Sequence, residues 1–238
     1  MNIARYARIT DSPRPREIVL LKGLPCSWGR CTFCDYIHDN VENESLATDE
    51  NAVVLQQVTG CFKALQVINS GSCFEIPAES LRQIKKVVQQ CQIQQLYFEA
   101  HWSYRHRLDE MREFFGIPIV FITGVETFDE HFRNKVLKKG MTFKDVAEVR
   151  KYFQSVCLMV GIQGQTREMI ANDVRVALEH FDYVTINLYI DNTTEIKADK
   201  ELQAWFRHEY AWLKQNPKVD VLFENTDFGV GGELKDDE

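Results

Sequence analysis

Short runs of aliphatic and β-branched residues alternate along the chain with longer segments whose apolar residues recur at helical spacing. The runs predict strands at 17–22, 65–69, 95–99, 117–122, 155–160, 183–190 and 219–224. The intervening segments predict helices near 49–63, 78–92, 103–115, 128–139, 166–180 and 199–214. Strands that alternate with helices of this length predict βαβ units and a parallel sheet.

This alternation predicts an α/β fold. Six or seven βα units are too few for a complete eight-fold barrel, so we expect an incomplete, open (β/α)6-type barrel, with a doubly wound sheet as the alternative. No linker or repeat divides the sequence, which predicts a single domain over 1–228 and a flexible, glycine-rich and then acidic tail over 229–238. In either fold, functional side chains gather on the loops after the strands.

Composition narrows the class of protein. The chain has 28 Lys and Arg against 35 Asp and Glu, a formal charge of −7, which disfavours binding along a phosphate backbone. Neither a signal-peptide pattern nor a transmembrane run is present, so we expect a cytoplasmic protein without a membrane partner. In a reducing compartment, the close spacing of three of its seven cysteines indicates metal binding or redox chemistry rather than a disulfide framework.

Those three cysteines, Cys26, Cys31 and Cys34, follow the first predicted strand with Cys-x4-Cys-x2-Cys spacing. Three thiolates on one loop can bind three irons of a 4Fe–4S cluster and leave the fourth iron open for a small molecule. Three alternatives remain: a zinc site completed by His38, a 2Fe–2S site completed by Cys61, and three inert buried thiols.

The cysteine loop resembles that of radical S-adenosylmethionine (SAM) enzymes, in which an aromatic residue precedes the last cysteine, as Phe33 does here. The first gap is one residue longer than the commonest family spacing. The resemblance implies that Cys26, Cys31 and Cys34 bind a 4Fe–4S cluster. It also implies that SAM binds at the open iron and is cleaved to methionine and a 5′-deoxyadenosyl radical.

Four later segments resemble SAM-binding elements of the same family, in the same order. They are Asn69-Ser70-Gly71-Ser72, the strand-ending Glu99, Gly124-Val125-Glu126-Thr127 and Gly161-Ile162-Gln163-Gly164-Gln165-Thr166. The resemblance implies that the cofactor-binding residues are Phe33, Tyr36, Ser70, Gly71, Ser72, Glu99, Glu126, Gly161, Ile162 and Gln163. Carboxylates such as Glu126 can accept hydrogen bonds from the SAM ammonium or ribose, and Gly71 permits close approach of its backbone.

The segment from Trp28 to Cys34, with Tyr36, is similar to the signature of radical SAM proteins that act on 7-deazaguanine bases. Chain length and layout most resemble the compact queuine lyase group. That resemblance implies a C–N lyase of queuosine salvage, which cleaves free queuine to 7-aminomethyl-7-deazaguanine. Candidate substrate-binding residues near strand ends are His101, Trp102, Asn187, Tyr189, Glu224 and Asp227. No catalytic side chain is identified.

The resemblance also implies an external electron donor of the flavodoxin or ferredoxin type. The acidic charge argues against tRNA as a partner. Two alternatives remain open at this point. One is a radical SAM enzyme that modifies another small molecule or tRNA, and the other is a non-catalytic iron–sulfur protein for electron transfer or regulation. Only an enzyme would consume SAM.

Overall fold

The computed structural model describes residues 4–223, whose contacts divide into two compact units. The N-terminal unit comprises Ala4–Gly29 and Tyr36–Ile122. The C-terminal unit comprises 30–35 together with the described residues from Thr123 onward. The predicted tail, 229–238, lies outside the described residues, and the single domain over 1–228 stays a prediction.

The N-terminal unit is built on parallel strands in chain order. Its strands are β1 (Tyr6–Ile9), β2 (Arg16–Leu21), β3 (Ala64–Asn69), β4 (Gln95–Glu99) and the start of β5 (Ile119–Glu126). Strand β1 is antiparallel to β2, while β2, β3, β4 and β5 pair in parallel. Every residue of β2 is buried, as expected for a strand covered on both faces. The helices are α1 (Glu44–Leu55), α2 (Ala78–Gln90) and α3 (Leu108–Phe115).

The C-terminal unit continues the same alternation. It contains the end of β5, followed by β6 (Ser155–Val160), β7 (Tyr183–Leu188) and β8 (Val219–Leu222). Strand β7 pairs in parallel with both β6 and β8. Its helices are α4 (Val146–Tyr152), α5 (Arg167–His180) and α6 (Lys200–Glu209). Phe153, Phe181 and Phe206 are fully buried and form part of its core. No helix in residues 4–223 is long and apolar enough to cross a membrane.

The seven predicted strands are all present, whereas β1 and α4 were not predicted. The predicted strand 183–190 ends at Leu188. The predicted helix at 49–63 instead spans Glu44–Leu55, because the Asn43 side chain accepts hydrogen bonds from the first-turn amides of Ser45 and Leu46. The N-cap therefore decides where this helix begins.

The predicted helix at 128–139 is wrong in length, since only a five-residue π-helix forms at Phe132–Val136. Arg133 explains the early end. Its guanidinium is buried and donates to the main-chain carbonyls of Thr127, at 2.9 Å, and Met141, at 2.8 Å. A buried guanidinium needs such acceptors, and reaching the Met141 carbonyl requires the chain to turn back.

Candidate functional site

In the C-terminal unit, the cysteine loop is hydrogen-bonded to the last residue of the π-helix and to the residue after it. Cys31 and Cys34 are half-buried cysteines that take part in no disulfide. Between them, the amide of Thr32 donates to the Leu137 carbonyl at 3.1 Å, and the Thr32 hydroxyl donates to the Val136 carbonyl at 2.8 Å. These bonds fix the backbone on which two predicted cluster ligands lie.

Phe33, the aromatic residue before the last cysteine, anchors the same loop. Its ring is 2% exposed and packs in an apolar cluster with Phe132, Leu137, Met159, Ile162, Tyr189 and Ala198. Its carbonyl accepts a 2.8 Å hydrogen bond from the Asn192 side chain. The observed role of Phe33 is thus to hold the loop, and a contact with the cofactor stays a prediction.

Glu126 ends β5 as a buried carboxylate in an uncommon backbone conformation. Its φ is 65°, in the left-handed region that a residue other than glycine seldom adopts. One carboxylate oxygen, Oε1, accepts a 2.7 Å hydrogen bond from Lys139 Nζ. The other, Oε2, is buried and has no hydrogen-bond partner among residues 4–223. A buried acceptor of this kind fits a ligand that donates, as the ammonium and ribose hydroxyls of SAM do.

Gly124 makes room for this ion pair. A Cβ atom at this position would lie 2.8 Å from Lys139 Nζ and closer still to Glu126 Oε1. A side chain at position 124 would collide with the Glu126–Lys139 ion pair, which explains why glycine stands two residues before Glu126.

Lys139 carries its charge in a largely buried position. Burial alone would lower the pKa of Lys139, but the charge of Glu126, together with Cys31 and Cys34, raises that pKa above its ordinary value. The side chain is 13% exposed, and Nζ lies 5.6 Å from the centroid of the Phe33 ring. A raised pKa keeps the Lys139 side chain positively charged at neutral pH.

The loop after β6 is held by two glutamines. Gln165 Oε1 accepts from the amides of Gly161, at 2.9 Å, and Ile162, at 3.0 Å, while Gln165 Nε2 donates to the Met159 carbonyl. Gln203 Nε2 donates to the Gly161 carbonyl at 3.3 Å. Gly161 has a φ of 83°, and a Cβ there would overlap the Gln203 side chain, so glycine is required.

The other predicted cofactor residues of this loop differ in exposure. Ile162 is fully buried and forms an antiparallel bridge with Ala198, whereas Gln163 is exposed. The main-chain amide of Gln163 donates to the Lys197 carbonyl at 2.9 Å. Contacts of both residues with the SAM adenine stay a prediction.

In the N-terminal unit, Glu75 joins the Cys26 loop to the predicted SAM segment after β3. Its Oε1 accepts from the Ser27 amide at 2.9 Å and from the Tyr104 hydroxyl at 3.1 Å. Its Oε2 accepts from the Ser72 amide. A Cβ atom on Gly71 would lie 2.5 Å from Glu75 Oε2, so a larger residue would disturb this junction.

Ser70 is already bonded to a buried ionic group. Asp39 accepts hydrogen bonds from Arg5, Lys22 and the Ser70 hydroxyl, at 3.2, 2.5 and 3.0 Å. Burial would raise the pKa of Asp39, but the hydrogen bonds and charges of Arg5 and Lys22 outweigh it and lower that pKa. The Ser70 hydroxyl thus ties its segment to Asp39 by a hydrogen bond. A contact of Ser70 with SAM stays a prediction.

The remaining predicted cofactor residues lie at the ends of local elements. Tyr36 begins a 3-10 turn, Tyr36–Asp39, and Glu99 is the last residue of β4. Both are half-buried. Tyr36 comes just after the cysteine loop, and Glu99 ends the third predicted strand.

The predicted substrate residues His101 and Trp102 belong to an aromatic group in the N-terminal unit. The His101 ring stacks on Trp28, with centroids 5.6 Å apart and planes 15° from parallel. Trp102 is 4% exposed, and the Arg105 guanidinium lies 4.5 Å from the centroid of its ring. Trp28 and His101 are half-buried, so their paired rings are the more accessible part of this group.

Asn187 and Tyr189 lie in and just after β7, in different settings. Asn187 is 6% exposed; its Nδ2 atom donates to Cys157 Sγ at 3.2 Å, while Oδ1 is without a hydrogen-bond partner in the described part of the chain. The Tyr189 ring is 1% exposed, and its hydroxyl contacts Asn192, Thr194 and the Ile196 carbonyl. Glu224 and Asp227, the other two predicted substrate residues, lie outside the described residues.

The predicted 4Fe–4S cluster depends on three cysteine thiolates as its ligands. Within residues 4–223, no group of three or more His, Cys, Asp or Glu side chains is gathered closely enough to hold a metal ion. Cys26 in the N-terminal unit and Cys31 and Cys34 in the C-terminal unit are half-buried cysteines outside any disulfide, and thiolates are the usual ligands of iron–sulfur clusters. By contrast, Cys73 is fully buried, and burial raises the pKa of its thiol. The cysteine triad as cluster ligand stays a prediction.

Sequence reasoning missed Lys139, Glu75 and Gln203, and it quoted Gln165 only as a member of the segment after the fifth predicted strand. Only Glu75 had a recognisable signal, because Ser72 and Glu75 have the Ser-x-x-Glu spacing of a capping box. Lys139 had none, since a lysine in a polar segment is normally expected to be exposed.

Comparisons with known proteins identify the family. No protein-family model matches the chain, and no curated protein matches it either. A solved structure, queuine lyase from Clostridium spiroforme bound to SAM and queuine, is 47% identical to this chain. The match covers 97% of this chain and 100% of the other, with a TM-score of 0.93.

This match confirms the predicted resemblance to radical SAM enzymes and to the compact queuine lyase group. It also confirms the α/β fold with an incomplete (β/α)6-type barrel, the enzyme class and the pair of cofactors, SAM and a 4Fe–4S cluster. The doubly wound sheet and the non-catalytic iron–sulfur protein are thereby excluded. An identity of 47% along almost the whole length of both chains shows that this protein belongs to the queuine lyase family of radical SAM enzymes.

Proposed function

We propose that this protein cleaves free queuine to 7-aminomethyl-7-deazaguanine by breaking the bond between the cyclopentenediol ring and the aminomethyl nitrogen. The single observation that carries the proposal is the 47% identity, over 97% of this chain, to a queuine lyase bound to SAM and queuine. The substrate is a small molecule, which agrees with the acidic charge of −7.

Three cysteine residues, Cys26, Cys31 and Cys34, hold the 4Fe–4S cluster in this proposal. The bound cofactors supply one electron and a carbon-centred radical, which removes hydrogen from an unactivated carbon of the substrate. Glu75 and Thr32 maintain the cysteine loop by the main-chain hydrogen bonds described above.

Glu126 binds a donor group of SAM through Oε2. The Lys139 ammonium holds the other oxygen, Oε1, so the carboxylate cannot rotate freely. Because Oε2 is buried, water does not compete for it, and a hydrogen bond from a charged donor is stronger there than at the surface.

Asn187 contributes a hydrogen-bond acceptor for the substrate. Its Oδ1 is buried and is oriented by the Nδ2 contact with Cys157 Sγ. The guanine-like edge of a 7-deazaguanine base offers N–H donors that match such an acceptor. His101, which stacks on Trp28, supplies ring surface on which a flat base can stack, while Trp102, next to it in sequence, is buried.

The proposal extends to the setting of the reaction. We infer a cytoplasmic enzyme, since thiols are kept reduced in that compartment, and an electron donor of the flavodoxin or ferredoxin type, as the family implies. Neither a membrane nor tRNA takes part.

Free queuine and queuosine-containing tRNA, offered side by side to the anaerobically reduced enzyme, test the proposal. Free queuine should increase the yield of 5′-deoxyadenosine, and deuterium on its ring should enter that product. The tRNA should be turned over poorly, because the acidic chain offers little to neutralise phosphates. Turnover of the tRNA alone would overturn the free-base assignment.

A further inference from the structure

A buried ammonium lies beside two of the predicted cluster ligands, within the C-terminal unit. Lys139 is 13% exposed along its side chain, and Nζ lies 5.6 Å from the centroid of the Phe33 ring. Phe33 directly precedes Cys34 and follows Cys31 by two residues. Cys31 and Cys34 pack against the same apolar cluster as Phe33. The charge is therefore close to the thiols.

Hydrogen bonds of the cysteine loop and of the segment before Lys139 fix the position of this lysine. Two hydrogen bonds join Thr32 of the cysteine loop to Val136 and Leu137, which come just before Lys139. The Lys139 amide itself donates to the Arg133 carbonyl at 3.0 Å. The ion pair with Glu126 restrains the end of the side chain. Lys139 thus differs from a mobile surface lysine, whose charge water would screen.

A fixed positive charge in a buried place acts strongly on nearby negative groups, because little water screens it. A positive charge at Lys139 favours negative charge on the sulfurs of Cys31 and Cys34, which pack against the same apolar cluster as the Phe33 ring beside Nζ. An iron–sulfur cluster becomes more negative by one charge when it accepts an electron. Its reduction potential depends on the net charge around it.

We propose that Lys139 is a positioning residue for this chemistry: held beside Cys31 and Cys34, its charge raises the reduction potential of the 4Fe–4S cluster. This inference rests on the proposed cluster ligands, but not on queuine as the substrate.

The test compares Lys139→Met and Lys139→Arg with wild type, each reconstituted anaerobically and measured without SAM. The midpoint potential of the cluster is followed by redox titration with electron paramagnetic resonance detection. Lys139→Met should retain its iron and show a lower midpoint potential, while Lys139→Arg should stay near wild type. Lys138→Met removes the same charge from an exposed neighbouring position and should leave the potential unchanged.

A Lys139→Met enzyme with full iron content and a wild-type potential would overturn the inference. Removing Lys139 alone also leaves the Glu126 carboxylate buried without its cation, which can destabilise the fold. If that variant loses iron, Glu126→Gln is compared with the double variant Glu126→Gln/Lys139→Met. The double variant should have the lower potential, and equal potentials would overturn the inference. A wild-type enzyme that holds iron but ignores queuine would contradict the proposed function and leave this result intact.

Discussion

The Nζ atom of Lys139 lies 2.7 Å from Oε1 of Glu126, which leaves the second oxygen of that carboxylate buried and unpartnered within residues 4–223. The two oxygens of the Glu126 carboxylate therefore differ in function. Oε1 makes an ion pair within the protein, and Oε2 is available to accept a hydrogen bond from a ligand. The unusual φ of 65° at Glu126 supports the same conclusion, because strained backbone concentrates at functional sites.

Replacing Glu126 should weaken SAM binding while iron remains. A buried hydrogen bond to a charged group contributes about 1.5–3 kcal/mol, so we expect Glu126→Ala to raise the SAM dissociation constant about 10-fold or more. The dissociation constant is measured by equilibrium dialysis under anaerobic conditions, with iron content determined in parallel. Glu130→Ala, at an exposed position nearby, is the control. Wild-type affinity in Glu126→Ala would show that the site after β5 has been misassigned.

The three cysteines of the loop should be required for iron. Reconstituted wild type should hold about four irons per chain, and Ala at Cys26, Cys31 or Cys34 should remove most of them. Cys61 is exposed, so Cys61→Ala should retain the iron and serves as the control. Iron and zinc are measured by elemental analysis. Stoichiometric zinc, or a 2Fe–2S signal that requires Cys61, would contradict the cluster proposed here.

Asn187 should act on the substrate and not on the cofactor. Asn187→Leu keeps a similar volume but removes the buried acceptor, so we expect the KM for queuine to rise while the SAM dissociation constant stays the same. Steady-state kinetics and SAM binding are compared with Asn172→Leu, at an exposed position of α5. An unchanged KM for queuine in the Asn187 variant would remove this residue from the substrate site.

Asp173 should make stability depend on pH. Burial raises its pKa to about 7 from an ordinary 3.8, although the Phe128 amide donates to it at 2.6 Å. Between these values the folded chain keeps a proton that the unfolded chain has released, so stability falls as pH rises through this window. The slope is at most about 1.4 kcal/mol per pH unit.

Asp173→Asn cannot ionise and should escape this decline. We expect the variant to gain stability relative to wild type from pH 5 to pH 7. The difference in free energy of unfolding, variant minus wild type, should therefore increase over this range and level off above it. Anaerobic chemical denaturation of both proteins at several pH values provides the comparison. A difference that is constant across this range would show that Asp173 ionises normally in the folded protein.

The strands and the residues that follow them were predictable because buried β-branched runs and strand-ending glycines leave a clear local pattern. Glu126 was named because the segment after the fourth predicted strand, 117–122, resembles a SAM-binding element, and the structure extends that strand to Glu126 itself. The short π-helix at Phe132–Val136 was not predicted, because its length is set by the buried Arg133 and its distant carbonyl partner Met141. Such tertiary contacts leave no local periodicity.

Within the site, sequence could name residue types at strand ends but not their partners. Lys139 is 13 residues beyond Glu126 along the chain, and only the folded structure shows the ion pair. Ser70 was named from the sequence, but its hydrogen-bond partner was not. Its hydroxyl donates to Asp39, which lies 31 residues earlier in the chain. Side-chain pairing over such separations depends on how elements pack and not on local spacing.

The central claim is that this chain cleaves free queuine, and product analysis tests it most directly. Reconstituted enzyme is incubated anaerobically with SAM, a strong reductant and queuine, and the products are identified by mass spectrometry. We expect 7-aminomethyl-7-deazaguanine and 5′-deoxyadenosine to appear together in wild type, and neither to appear with Cys31→Ala. An enzyme that holds its cluster and cleaves SAM, yet releases no 7-aminomethyl-7-deazaguanine from queuine, would contradict the claim.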